Sequence, residues 1–164
     1  MSFDAELTAL ASRVVAENKA AGRSITTAES CTGGLVAAAI TEISGSSDVY
    51  DRSFITYSNE AKTELLGVSE EILATLGAVS EATAWAMAQG ALARSNADVA
   101  VAISGIAGPL GGSEKKPVGT VVFARAMKAE DGSSAVADTH HFGDLGRSEI
   151  RRQAALVALR LLLP

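Results

Sequence analysis

The chain places two nucleophilic side chains, Ser30 and Cys31, side by side in the run Thr-Ala-Glu-Ser-Cys-Thr-Gly-Gly that ends at Gly34. The β-branched residues before Ser30 predict a strand over 24–27, and the apolar stretch after Gly34 predicts a buried helix. The run then fills a turn from strand to helix, where free N–H groups of the first helical turn face a ligand. Taken alone, a serine N-cap followed by two packing glycines is the simpler interpretation.

A lysine that could act as a base follows a second predicted strand. Residues 54–57 have the composition of a strand that delivers Tyr57 to its carboxyl end, and Ser58 then caps a helix carrying Lys62. A sheltered lysine loses its proton more readily, so neutral Lys62 could activate a serine while the Tyr57 hydroxyl relays or orients the proton. On these residues alone, a capped helix with a solvated Lys62 is the simpler interpretation.

A glycine-rich loop begins where the third predicted strand ends. Residues 99–104 form an unbroken apolar run, typical of a central strand covered on both faces, and the loop runs from Ser104 to Ser113. It matches neither the dinucleotide fingerprint nor a phosphate-binding loop, because no helical pattern follows and Gly-Lys-Ser/Thr is absent. A flexible connection explains the loop alone. Its place beside Ser30 and Tyr57, each also at a strand end, favours a ligand site.

The remaining candidates for chemistry are weaker. His140 and His141, the only two histidines, lie at the end of a predicted strand where neighbouring side chains face opposite ways. We therefore expect them on the surface or in the core. Neither histidine, nor Cys31 with the scattered carboxylates, has the spacing of metal ligands, so no metal and no cofactor are predicted.

Helices and strands alternate along the chain around these candidates. Helical spacing of apolar residues predicts a first helix that ends at Gly22, and Ser69 and Ser80 are predicted N-caps of two further helices. A strand pair over 118–127 and 135–142 is predicted to turn at Asp131-Gly132, before a last helix over 147–163. This order predicts an α/β fold, a three-layer α/β/α sandwich around a mixed sheet of about five strands.

The bulk composition of the 164 residues excludes several classes of protein. A net charge of −5 with scattered Lys and Arg argues against nucleic-acid binding, which needs clustered basic side chains. A single cysteine excludes a disulfide framework, and neither a secretory signal nor a membrane-spanning run is present. We therefore expect one domain over residues 1–164, in the cytoplasm, with a small-molecule ligand and no nucleic-acid or membrane partner.

Five blocks of the sequence, in the right order, resemble the CinA C-terminal domain family, the nicotinamide-nucleotide amidases. The blocks cover residues 27–34, 56–62, 77–80, 104–109 and 116–121. Any one of them is a weak signal, but together they extend the resemblance over nearly the whole chain. The resemblance implies a stand-alone amidase domain with a three-layer α/β/α fold, which hydrolyses nicotinamide mononucleotide to nicotinate mononucleotide and ammonia in pyridine-nucleotide recycling.

The resemblance also implies roles for single residues and a homo-oligomeric protein. Ser30 matches the family's nucleophile, Lys62 its base, Tyr57 an assisting hydroxyl, and Arg147 a basic residue that we expect to bind the substrate phosphate. We expect an acyl-enzyme mechanism in which N–H groups at the helix start beyond Ser30 hold the oxyanion. The other residues expected at the substrate are Glu29, Cys31, Thr32, Gly33, Gly34, Asn59, Ser104, Gly105 and Ile106.

Two other classes of function stay open at this stage. The chain could be a nucleotide-sensing module without catalysis, or an oligomeric interaction protein of the kind that the family's competence-related name suggests. A sensor would bind the mononucleotide without releasing ammonia, and an interaction protein would do neither.

Overall fold

One mixed sheet of five strands runs through the centre of the molecule. In this computed structural model, which describes residues 4–128 and 136–164, the strands are β1 (Ile25–Glu29), β2 (Tyr50–Ile55), β3 (Val99–Gly105), β4 (Thr120–Met127) and β5 (Val136–His141). Their order is β2-β1-β3-β4-β5, with β1 parallel to both of its neighbours and β4 antiparallel to both of its own. The predicted mixed sheet of about five strands is confirmed.

Helices cover both faces of this sheet. They are α1 (Ala5–Ala20), α2 (Leu35–Thr41), α3 (Asn59–Leu66), α4 (Glu70–Leu76), α5 (Glu81–Ala93) and α6 (Arg147–Leu161). One buried cluster packs α1, α2 and α6 against one face, and a second cluster packs α3, α4 and α5 against the other. Side chains of β3 from Val99 to Ile103 enter the two clusters alternately, which is why this part of the strand is apolar. The three-layer α/β/α sandwich is therefore confirmed.

Serine residues set the starts of α3, α4 and α5 as the sequence predicts. The Ser58 hydroxyl accepts a hydrogen bond from the Ala61 N–H at 3.0 Å, and Gly67 ends α3 in the left-handed conformation with φ of 69°. Ser69 and Ser80 cap α4 and α5 in the same way. The sequence therefore predicted the position of the helix that carries Lys62 correctly.

The strand boundaries differ from prediction at two places. β1 continues to Glu29 because it is buried along its whole length, whereas β2 is a half-exposed edge strand that ends at Ile55. Tyr57 therefore lies in the loop beyond β2 and not on the strand itself. The strands predicted on either side of Asp131-Gly132 are β4 and β5, which pair as expected. The predicted turn itself lies outside the described residues.

The chain changes its direction across the sheet at β1. From β1, α2 leads to β2 on one side, whereas α3, α4 and α5 lead from β2 to β3 on the other side. These two connections lie on opposite faces of the sheet, so they diverge at the carboxyl end of β1 and leave a crevice there. Open α/β sheets bind their ligands at such a switch point. Ser30 is the first residue beyond β1.

A glycine lets α3 and α5 approach each other closely. A Cβ atom at Gly90 of α5 would lie 2.0 Å from the carbonyl oxygen of Leu66 at the end of α3. No side chain can occupy position 90 while the helices keep this separation. The helix that carries Lys62 is thus seated directly on the main chain of α5.

Candidate active site

Ser30 lies directly after the carboxyl end of β1, at the switch point of the sheet. Its N–H donates to the carbonyl oxygen of Ile103 at 2.9 Å, so the parallel register of β1 with β3 continues one residue past Glu29. Ser30 is 7% exposed, and its hydroxyl contacts α3, on the face opposite to α2. The nucleophile expected from sequence therefore sits at the floor of the crevice.

Lys62 reaches Ser30 from α3. Its Nζ lies 2.9 Å from Ser30 Oγ, 2.8 Å from the carbonyl oxygen of Thr56 and 3.3 Å from that of Tyr57. A neutral amine has two N–H donors and one lone pair. Donation to the two carbonyls leaves the lone pair for the proton of the Ser30 hydroxyl, so the contacts suit a base.

Burial shifts the pKa values of Lys62 and of its neighbour Cys31 in opposite directions. Desolvation lowers the pKa of Lys62, whose side chain is only 1% exposed. Desolvation also raises the pKa of the Cys31 thiol to about 12, which keeps this thiol protonated at neutral pH. A Cys31 thiolate would oppose the shift of Lys62, but it does not form under these conditions. The hydroxyl of Ser30 is thus the better placed nucleophile.

Glu29, expected at the substrate, lies instead beneath the start of α2. Its carboxylate accepts hydrogen bonds from the N–H groups of Gly34, Val36 and Ala37 at 3.0, 3.2 and 2.9 Å, and its side chain is fully buried. The positive end of a helix attracts this carboxylate as it would attract an oxyanion. The helical N–H groups expected to face the substrate are therefore already occupied.

Two other N–H groups follow Ser30 in the loop. Those of Cys31 and Thr32 donate to no oxygen acceptor in the part of the chain that the structure describes. The N–H of Gly33 donates to the Ser30 carbonyl at 3.0 Å and so closes a tight turn around them. Of these two residues, Cys31 borders a cavity next to Ser30 whereas Thr32 is fully buried, so the loop offers one donor beside Ser30.

Arg151 of α6 holds this loop, a role that the sequence analysis did not foresee. Its Nε donates to the Cys31 carbonyl at 3.1 Å and its Nη2 to the Thr32 carbonyl at 2.9 Å. Since the C=O and N–H of a trans peptide point in opposite directions, these bonds turn the Thr32 N–H away from α6. No sequence signal separates Arg151 from Arg152 and Arg160 on the same helix.

The hydroxyl of Tyr57 contacts Arg147 and makes no bond to Ser30 or Lys62 within the described residues. Arg147 Nη2 donates to Tyr57 Oη at 2.9 Å, and Nη1 donates to the Gly108 carbonyl at 2.9 Å. The Tyr57 side chain is 61% exposed, and only its main-chain carbonyl touches Lys62. The expected hydroxyl relay is not formed, and Tyr57 orients the lysine through its backbone.

A cavity of about 170 Å³ opens on Ser30 and Lys62. It brings together seven of the residues predicted from the sequence, which are Ser30, Cys31, Tyr57, Lys62, Ser104, Gly105 and Arg147. Six other expected contacts do not line it, namely Glu29, Thr32, Gly33, Gly34, Asn59 and Ile106. Three apolar loop residues complete the wall, Ala78, Val79 and Ala107. These side chains have no reactive or polar group, so only the structure shows that they belong to the site.

Metal-ligand geometry does not occur within residues 4–128 and 136–164. No three or more His, Cys, Asp and Glu side chains there are grouped so that they could hold a metal ion. His140 Nε2 lies 3.1 Å from Asp138 Oδ2 and its ring packs edge-on to Phe123, while His141 lines a different cavity.

None of the described helices is both long and apolar enough to cross a membrane.

Comparisons with known sequences give a match over nearly the whole chain. Residues 7–164 match the CinA C-terminal domain. The nicotinamide-nucleotide amidohydrolase PncC of Escherichia coli (strain K12) is 54% identical over 160 residues, which cover 97% of this chain and 94% of that protein. The protein of the same name from Enterobacter agglomerans is 56% identical over 145 residues, covering 88% of this chain and 86% of that protein.

A solved structure shares the fold in detail. The crystal structure of the competence/damage inducible protein CihA from Agrobacterium tumefaciens superposes with a TM-score of 0.93 at 48% sequence identity. The superposition covers 99% of this chain and 96% of that one.

Proposed function

Because the chain belongs to the CinA C-terminal domain family, we propose that it hydrolyses the carboxamide of nicotinamide mononucleotide, giving nicotinate mononucleotide and ammonia. Its enzyme class is that of its relatives, a nicotinamide-nucleotide amidohydrolase. The observation that carries the mechanistic proposal is the buried contact of 2.9 Å between Lys62 and Ser30 at the end of β1. The activity serves pyridine-nucleotide recycling, with residues 1–164 acting as one catalytic domain.

The first half of the reaction acylates Ser30. Neutral Lys62 takes the hydroxyl proton while Ser30 Oγ forms a bond to the carboxamide carbon, which becomes tetrahedral. When this intermediate collapses, the C–N bond breaks and the nitrogen takes the proton from the Lys62 ammonium, so that ammonia leaves. Lys62 is then neutral again, and a nicotinoyl ester remains on Ser30.

The second half returns the enzyme to its starting state. Lys62 removes a proton from water, the hydroxide oxygen bonds to the ester carbon, and Ser30 Oγ leaves with the proton that Lys62 returns. The product forms as the carboxylic acid and loses its proton to solvent, leaving a carboxylate. The positive pyridinium ring of the nucleotide, held near Lys62, favours the neutral amine in both halves.

The oxyanion of each tetrahedral intermediate is stabilised by the N–H group of Cys31, the residue after Ser30 that lines the cavity. This N–H group stands beside Ser30 and donates to no oxygen of the described residues. The first turn of α2 cannot supply this function directly, because Glu29 occupies its N–H groups. Donors fixed by the fold cost no reorganisation during the reaction, which is the source of their effect.

The cavity accepts the reacting ring and not the whole nucleotide. Its volume of about 170 Å³ is below the roughly 300–1,000 Å³ of pockets that enclose a complete drug-sized ligand. The ribose and phosphate therefore extend out of the mouth, where the exposed Arg147 lies. A guanidinium there can engage two phosphate oxygens at once.

Ammonia release from nicotinamide mononucleotide, measured beside free nicotinamide, tests this function. We expect rapid release from the mononucleotide and little from the free base, because the ribose phosphate supplies binding energy outside the cavity. Binding of the mononucleotide without ammonia release would instead identify a sensing module. If the protein neither binds the mononucleotide nor releases ammonia, the amidase and the sensing module are both contradicted, and an interaction protein is favoured.

A further inference from the structure

The hydroxyl of Ser104 has a fixed direction at the wall of the catalytic cavity. Its Oγ lies 2.7 Å from the carbonyl oxygen of Ala78, and its side chain is 1% exposed. A carbonyl oxygen can only accept, so the single hydroxyl hydrogen of Ser104 must point at Ala78. Toward the cavity, Ser104 therefore presents lone pairs and no donor.

The sheet places these lone pairs beside the nucleophile. Glu29 is paired with Ile103 in the parallel register of β1 and β3, and the Ser30 N–H continues that ladder. Ser30 and Ser104 are therefore lateral neighbours on adjacent strands, separated by about 4.8 Å of strand spacing. Both line the same cavity, so an amide carbon within reach of Ser30 carries its nitrogen within reach of Ser104 or of Lys62.

An acceptor at this point distinguishes the substrate from the product. A carboxamide nitrogen carries two N–H donors, whereas a carboxylate has only acceptor oxygens and a negative charge. We propose that Ser104 is a specificity-determining residue that accepts a hydrogen bond from the amide nitrogen of the substrate and disfavours the carboxylate product. The inference rests on the proposed amidase function and adds the group that selects an amide and promotes release of the acid.

A matched pair of substrates isolates this contact. The methyl ester of nicotinate mononucleotide has the same ring, ribose and phosphate as the amide, but its leaving group has no N–H. In the Ser104→Ala variant, we expect kcat/KM for the amide to fall about tenfold and kcat/KM for the ester to stay within about twofold. Inhibition by nicotinate mononucleotide should become stronger, because the repelling lone pairs are gone.

Two further variants control for the fold. The hydroxyl of Thr26 is buried and donates to the main-chain carbonyl of Arg52 at 2.7 Å, but Thr26 does not line the cavity. Thr26→Val should therefore leave the ratio of kcat/KM for the amide to that for the ester unchanged. If Ser104→Ala does not fold, Ser104→Cys keeps the size of the side chain while its thiol accepts only weakly, so the same loss of amide preference is expected.

The outcomes separate this inference from the proposed function. A wild-type enzyme that cleaves neither substrate overturns both. Cleavage of both substrates by the wild type, with an equal fall for both in the Ser104 variants, overturns the role of Ser104 and leaves the amidase function standing. A selective loss of amide turnover, with tighter binding of the acid, supports it.

Discussion

The side-chain nitrogen of Lys62 lies 2.9 Å from the hydroxyl oxygen of Ser30, and both side chains are buried at the carboxyl end of β1. The two residues come from different layers of the molecule, since Ser30 follows the sheet and Lys62 belongs to a helix packed on one face. This contact is the basis for the nucleophile and base roles that we propose for two side chains that are ordinary when read separately.

The identity of the nucleophile can be tested with two neighbouring variants. Ser30→Ala should lower turnover of nicotinamide mononucleotide by roughly three orders of magnitude or more, because no acyl-enzyme can form. Cys31→Ala should keep substantial activity, since burial holds the pKa of this thiol at about 12. Both proteins should fold, as judged by circular dichroism. Near-normal ammonia release from Ser30→Ala would show that Ser30 is not the nucleophile.

The base function of Lys62 predicts a distinctive pH profile. The neutral amine is the active form, so kcat/KM should rise with pH and reach its plateau below the ordinary lysine pKa of about 10.4, because burial lowers the pKa of Lys62. Lys62→Arg keeps the charge but cannot lose its proton, and should be nearly inactive at every pH. Wild-type turnover should survive EDTA. Loss of activity in EDTA that zinc or magnesium restores would overturn this mechanism.

Glu29 should matter for stability and not for contact with substrate. In Glu29→Gln, one carboxylate oxygen becomes an NH₂ group that faces N–H donors of α2, which leaves a buried donor unsatisfied. We expect the free energy of unfolding to fall by about 2 kcal/mol and the Tm by roughly 4–8 °C. Glu42→Gln, at the exposed end of the same helix, serves as the control. Equal melting temperatures for the two variants would refute the capping role.

Arg147 is predicted to bind the phosphate at the cavity mouth. Arg147→Ala should lower kcat/KM for the mononucleotide by roughly 1.5–3 kcal/mol of transition-state stabilisation, the usual scale for a charge-assisted hydrogen bond. Nicotinamide riboside lacks the phosphate, so its poor turnover should change little. A Tyr57→Phe variant separates the two partners, since it removes the hydroxyl that Arg147 contacts but keeps the guanidinium. An equal fall for both substrates in Arg147→Ala would show that Arg147 supports the fold or the chemistry.

Arg151 is predicted to hold the loop after Ser30 that carries the oxyanion donor, since it bonds the carbonyls of Cys31 and Thr32. Arg151→Ala should lower kcat by roughly tenfold to a hundredfold with little change in KM, because the Cys31 N–H on that loop acts mainly in the transition state. Arg152→Ala is a matched control on the same helix, since Arg152 pairs with Asp4 and Glu6 and not with this loop. A rise in KM at constant kcat would contradict the positioning role.

Local signals explain why much of the fold was readable from sequence. The serine and glycine residues that bound α3 act through bonds to their own helix, so the sequence nearby decides where it begins and ends. β3 is apolar because both of its faces are covered, and that burial is also visible in the sequence. The end of β2 was missed because an edge strand has a weaker apolar pattern.

The misplaced site residues have a shared physical cause. Glu29 and Ser30 are adjacent and both polar, but successive residues of a strand point to opposite faces, so one reaches α2 and the other the cavity. Which face holds the substrate depends on where α2 and α3 pack, and that is set by contacts distant in sequence. The choice of Arg151 among the arginines of α6 depends on the same packing.

The close packing of α3 on α5 links the distance between Lys62 Nζ and Ser30 Oγ to Gly90, a residue that does not line the cavity. Gly90 faces the carbonyl of Leu66, which lies one helical turn beyond Lys62. We therefore expect a methyl group at position 90 to displace α3 and to move the Lys62 amine away from Ser30. In a saturation mutagenesis screen scored on activity, position 90 should therefore group with the reacting residues. The absence of a side chain at position 90 therefore helps to set the distance between Lys62 and Ser30.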